Sequence, residues 1–139
     1  KWSEVSISSH GRWWETMPIA LESAYGRTPF FEFYIDRFRQ LFTQEPVTVT
    51  ELCKRADEIV RKILLINTPL ISVDNIGNAR SYISYDFEKA SQLLPRYWQV
   101  RKTSLGFIAG MSVLDLIFNL GADAVLYLDR LSTTAVDNC

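Results

Sequence analysis

Thr48-Val49-Thr50-Glu51-Leu52-Cys53-Lys54-Arg55-Ala56-Asp57-Glu58-Ile59-Val60-Arg61-Lys62-Ile63-Leu64 is the stretch that decides the fold class. Its apolar residues, Val49, Leu52, Cys53, Ala56, Ile59, Val60, Ile63 and Leu64, recur with the period of one helix face. Lys54, Arg55, Asp57, Glu58, Arg61 and Lys62 fill the opposite face. Thr48 and Glu51 have the capping-box spacing, in which each side chain satisfies a backbone N–H at the helix start. Val47 and Leu52 sit where a hydrophobic staple needs them. The pattern predicts a helix over 49–65 with its apolar stripe in the core. Cys53, on that stripe, is expected to behave as a small hydrophobe and not as a nucleophile.

Working upstream, Thr28-Pro29 predicts a second helix, with a hydroxyl at the N-cap and proline in the first helical position. Phe31, Ile35, Phe38 and Phe42 line one side of it, and Phe30, Tyr34 and Leu41 widen the stripe. An earlier helix runs to about Tyr25, with Met17, Ala20, Leu21 and Ala24 on one face. Pro18 implies that it starts near Thr16 or that a longer helix kinks there. Gly26 is placed to end it in a left-handed cap. Residues 3–8 alternate polar and apolar and predict a short strand.

Downstream, Leu70–Val73 reads as a strand and Asp74–Asn78 as a turn. A helical turn or two surrounds Phe87–Leu94, and Tyr97–Val100 is strand or irregular. Gly106 and Gly110 flank a loop leading to a helix at Ser112, where Ser112 and Asp115 fit the S-x-x-D cap pattern. Val113, Leu114, Leu116, Ile117, Phe118 and Leu120 wrap nearly all round this helix and predict its burial. Gly121 closes it, and Ala122–Leu131 forms a last helix. The fold class expected is α+β, mainly helical, with about five helices and a small sheet of short strands. Residues 1–131 form one domain and 132–139 a C-terminal tail.

A chain of 139 residues, 47% hydrophobic and 22% charged, can bury a real core. Its 15 basic and 16 acidic side chains leave a net charge of −1, which gives no electrostatic reason to expect nucleic acid. No apolar stretch is long enough to span a bilayer. Cys53 and Cys139 make no disulfide framework, so a reducing, cytoplasmic setting is expected. Two cysteines and one histidine give no zinc constellation. The glycine-rich phosphate loop, the G-x-S-x-G elbow and the H-E-x-x-H pair are absent from the sequence, and no cofactor is expected.

Three groups of segments, read together, resemble the WbqC-like protein family. Trp14 and the run Ala20-Leu21-Glu22-Ser23-Ala24-Tyr25-Gly26-Arg27-Thr28-Pro29-Phe30-Phe31-Glu32-Phe33-Tyr34 are similar to its central signature. Tyr97-Trp98-Gln99-Val100 and Gly106-Phe107-Ile108 resemble a later segment. Ser112 to Gly121, followed by Leu126-Tyr127-Leu128, resembles the C-terminal signature. The blocks stand in family order over roughly residues 2–129. Members of this bacterial family occur among genes for surface polysaccharide. The resemblance therefore implies a transferase-type enzyme of O-antigen biosynthesis acting on a small-molecule or sugar substrate. The alternative class is a non-catalytic binding or assembly domain. The resemblance also implies an N-terminal section that is not in this chain. We therefore expect a piece of a larger unit, completed by a missing N-terminal segment or by homo-oligomerisation. The family supplies no catalytic residues to carry over.

Among candidate site residues, Asp115 is an acid on an otherwise apolar helix, with Asn119 one turn on. A buried carboxylate there can act as a general base or grip an amine, or it can serve structure by accepting from Ser112 or orienting Arg96 or Tyr97. His10 is the one histidine and the only imidazole available for acid–base work. Tyr97 and Gln99 are expected to converge with them on a substrate. Trp13, Trp14, Trp98 and Tyr97 can form a stacking platform or fill the core. Arg12, Arg96, Arg101 and Lys102 can hold a phosphate or form a solvated face.

Overall fold

The computed structural model describes residues 4–8, 10–42, 48–70 and 94–136, with side chains through 131. Its helices are α1 (Trp13–Tyr25), α2 (Phe31–Arg39) with a 3-10 turn at Gln40–Phe42, α3 (Val49–Ile63), α4 (Lys102–Leu105), α5 (Val113–Leu120) and α6 (Asp123–Val136). The described residues are mainly helical, as their periodicity predicts. The small sheet is not formed among the described residues. The 3–8 segment makes one antiparallel bridge, Ser6 to Thr48, and Val49 N–H donates to Val5 O at 3.1 Å. Beyond Thr48 pairing does not continue, because the chain turns directly into α3 at Val49. Leu70 is exposed and belongs to no element; the rest of the strand expected there, the turn at 74–78, the helical turn from Phe87 to Leu93 and the staple residue Val47 lie outside the described residues.

The core is organised on α2, which packs against α1, α3 and α5, while α5 also packs against α6. Phe31, Ile35 and Phe38 are the buried face of α2. Phe118 of α5, with no exposed surface, meets the rings of Tyr25, Phe31 and Phe38 at 5.2, 5.2 and 5.6 Å. These tilted and edge-on contacts are the favoured aromatic geometries. A backbone bond from Phe30 N–H to Phe118 O (3.1 Å) ties the start of α2 to α5.

Thr48 caps α3 as its sequence predicts, its Oγ1 accepting from Glu51 N–H at 3.1 Å. The reciprocal half of the box is absent, because the Glu51 carboxylate pairs with Arg55 instead. The helix ends at Ile63, short of the expected 65. Leu65 adopts a left-handed φ of 56°, and Ile66 N–H closes back on Arg61 O at 2.9 Å. That is the six-to-one bond of a Schellman turn, made here without glycine. The stripe is only part-covered: Ile63 and Leu64 are buried, Ala56, Ile59 and Val60 pack against the core from partly buried positions, and Cys53 is exposed rather than buried.

Three further expectations are corrected. Gly26 ends α1 with a right-handed φ of −57°, not a left-handed cap; a Cβ there would stand 2.6 Å from Glu22 O, which explains the glycine differently. Thr28 does not cap α2: its Oγ1 donates to Tyr25 O at 2.6 Å and closes the α1–α2 turn, and α2 begins at Phe31. Helix α6 continues to Val136, past the expected end at Leu131. Pro18 lies inside α1, so the longer of the two alternatives is the one formed. Among the described residues no helix is long and apolar enough to cross a membrane.

Candidate functional site

Helix α5 starts at Ser112, whose extended backbone marks the N-cap but whose hydroxyl makes no cap bond. Asp115 therefore does not close a capping box. Its side chain turns inward and is 7% exposed. Tyr97 OH donates to Asp115 Oδ2 at 2.6 Å, and Gln99 Nε2 reaches the same oxygen at 3.3 Å. The Gln99 amide also pairs with the backbone of Ile108, donating to its carbonyl at 2.8 Å and accepting from its N–H at 3.0 Å. Asn119, one turn beyond Asp115, accepts from Val100 N–H at 2.9 Å and donates to Asp115 O at 2.8 Å. These bonds pin both ends of the 100–107 loop, which contains α4, to each other and to α5.

The loop, the C-terminal end of α1 and the first turn of α5 enclose a cleft of about 210 Å³. Ala24, Leu105, Ile108 and Met111 make apolar walls; Asp115, Gln99, Arg101 and Tyr25 supply the polar groups. Arg101 also donates to Ser23 O at 3.3 Å. Among the described residues Asp115 takes part in no ion pair, so neutral donors hold its carboxylate. Burial pushes the Tyr97 phenol well above its ordinary pKa, and the bond to Asp115 adds to the rise. Burial raises Tyr25, the Ser112 hydroxyl offsets part of that rise, and the Asp115 charge adds a smaller one. Both phenols therefore keep their protons near neutral pH, and Tyr97 donates its own to Asp115.

Of the residues singled out in the sequence, Asp115, Tyr97, Gln99 and Asn119 are brought together. His10, Arg12 and Trp13 do not line this cleft. His10 is exposed in a turn, with its backbone N–H on Ser8 Oγ. Arg12 has a left-handed φ of 45° and pairs with Glu15. Trp13 donates from its indole to Ser8 O at 3.1 Å and stands edge-on to Trp14 and Phe42. Trp98, 50% exposed, lines a second cleft of about 290 Å³ with Arg96, Asp123 and Arg130. Tyr97 lies between the two: its hydroxyl reaches Asp115, and its ring borders the second cleft. One polar participant, Tyr25, was missed, and so was one pairing, that of Gln99 with the Ile108 backbone. Tyr25 carried the signal of standing one turn after Leu21 on the α1 face; the pairing of Gln99 with Ile108 had no local signal. Among the described residues no group of His, Cys, Asp or Glu side chains is placed to hold a metal ion.

The profile of the WbqC-like protein family matches residues 1–93, about two thirds of the chain. The chain belongs to the WbqC-like protein family. No curated protein and no solved structure matches it. In this WbqC-like chain the matched span contributes Ala24 and Tyr25 to the first cleft, while Tyr97, Gln99, Asp115 and Asn119 follow it in sequence. The likeness of the segments from Tyr97 onward rests on the residues quoted for them.

Proposed function

We propose that this WbqC-like chain forms the acceptor site of a transferase-type enzyme in bacterial surface polysaccharide synthesis. The observation that carries the reading is the Asp115 carboxylate, set in an apolar-walled cleft and held on one oxygen by Tyr97 and Gln99, with no counter-cation among the described residues. Such a group accepts a hydrogen bond from a sugar hydroxyl or amine. As that oxygen or nitrogen bonds to the transferred group and the donor's leaving group departs with its electron pair, the displaced proton passes to Asp115. This is general-base catalysis, which places the base within hydrogen-bond reach of the proton it takes. Arg101, on the same cleft, holds a negative charge on the donor. The polysaccharide setting comes from the family resemblance alone.

The second reading is a non-catalytic binding or assembly domain. It is favoured by Gln99 and Asn119, whose side chains are engaged with backbone atoms and so serve loop architecture. Ligand-observed NMR with glucosamine, N-acetylglucosamine and glucose separates the two. The enzyme reading expects saturable binding of at least one sugar, lost in Asp115→Asn while the thermal melt stays cooperative. Binding of none, or equal binding by the variant, favours the assembly domain.

A further inference from the structure

The second cleft is polarised in a way the first is not. Arg96 and Arg130 line it beside one acid, Asp123, and both arginines are exposed. Trp98 borders the same cleft with half its surface open to solvent. An indole face stacks on the flat or apolar face of a ring, and a guanidinium grips phosphate through its N–H edge. The Arg96 guanidinium already packs on the Phe107 ring at 5.7 Å, an arrangement that orients it and directs donation from the edge. Asp123 repels a phosphate and accepts from hydroxyls, so it suits the uncharged end of a ligand.

We infer that the Arg96–Trp98–Arg130 cleft binds a phosphate monoester carried on a single polyhydroxylated ring, a phosphorylated monosaccharide. The phosphate sits on the arginines, the ring lies on Trp98, and its hydroxyls face Asp123. A volume of about 290 Å³ stands at the low end of ligand pockets, which run from roughly 300 to 1,000 Å³, and fits one ring better than a nucleotide. This site is separate from the Asp115 cleft and does not depend on the role proposed there. The two share no lining residue; Tyr97, which lines the second, reaches Asp115 of the first through its hydroxyl, and its ring is held edge-on by Phe107 and Tyr127 at 5.6 and 5.2 Å.

The test follows the Trp98 indole N–H resonance, assigned as the signal missing from Trp98→Phe, during titration with glucose 1-phosphate, glucose, inorganic phosphate and uridine monophosphate. The expected result is a saturable shift with glucose 1-phosphate, weaker shifts with glucose and phosphate, and an affinity reduced roughly tenfold or more in Arg96→Ala, the effect of losing a charge-assisted bond. Arg130→Gln is expected to weaken binding in the same direction. No shift with glucose 1-phosphate into the millimolar range, or a shift equally strong in Arg96→Ala, overturns the inference. Tighter binding of uridine monophosphate than of glucose 1-phosphate overturns the assignment to a monosaccharide.

Discussion

Tyr97→Phe isolates the contact on which the candidate site turns. The substitution removes one oxygen and keeps the ring that packs edge-on against Phe107 and Tyr127. No sizeable cavity opens, so the cost is that of one hydrogen bond. The lost bond, 2.6 Å from phenol to carboxylate, belongs to the class worth about 1.5–3 kcal/mol. Gln99 stays on the same oxygen, and the cleft admits water to the carboxylate, so the lower end applies: about 1.5–2 kcal/mol. Tyr127→Phe is the internal standard. Its hydroxyl donates to Pro95 O at 2.8 Å in an exposed setting, a neutral bond worth about 0.5–1 kcal/mol. Urea unfolding followed by circular dichroism gives both values with the m-value as a check on two-state behaviour. If Tyr97→Phe costs no more than Tyr127→Phe, the phenol does not hold Asp115 in solution, and the general-base argument loses its support.

Further outcomes follow from the packing and the phenols. Ile63→Ala, at a position 7% exposed beneath α3, should cost roughly 2–5 kcal/mol in urea melts, and a loss near zero would place that face in solvent. Gly121→Ala should cost about 1–3 kcal/mol, because φ is 59° and the added Cβ would stand 2.6–2.8 Å from the Phe30 ring; an unchanged melting temperature would contradict this. Raised folded pKa values at Tyr97, Tyr25 and Tyr127 mean that the folded state keeps phenolic protons which the unfolded chain releases near pH 10. Their stabilisation is full below that pH and is lost as pH climbs toward the folded values, so unfolding midpoints should fall above roughly pH 10, and less steeply in Tyr97→Phe. Parallel alkaline limbs for the two proteins would refute the assignment.

What was legible in the sequence was local. The cap at Thr48 was readable because its donor, Glu51 N–H, lies only three residues away. The burial of α5 was readable because apolar residues surround it. The same signals misled where a distant partner won. Thr28-Pro29 has the pattern of a helix start, yet the hydroxyl satisfies the orphan carbonyl of Tyr25 at the end of the preceding helix. Ser112 and Asp115 have capping spacing, yet Asp115 is taken by groups 16 and 18 residues upstream. Cys53 shows the limit of periodicity: a 3.6-residue repeat says which residues share a face, not how far along the helix that face is covered. The alternation at 3–8 says that the backbone is extended, but pairing needs a partner, and among the described residues only Thr48 bridges to it before α3 begins.

The two halves of the chain meet at Phe118, and that junction explains why the cleft cannot be assigned to either alone. Tyr25 lines the cleft and packs its ring on Phe118 at 5.2 Å; Phe31 and Phe38 press on Phe118 from α2. All three lie within the span matched by the family profile, whereas Phe118 and the cleft's polar groups other than Tyr25 come after it. Asp115 and Asn119 flank Phe118 on the same short helix, so its seating in the aromatic cluster sets the height and rotation of both. The 100–107 loop is in turn hung from Asn119 and closed by Gln99 on Ile108. Position therefore passes from the aromatic packing of α1 and α2, through Phe118, to the carboxylate and then to the loop that walls it. The matched span shapes the site while supplying few of its polar atoms, and the later residues supply those atoms while depending on the earlier ones for their placement.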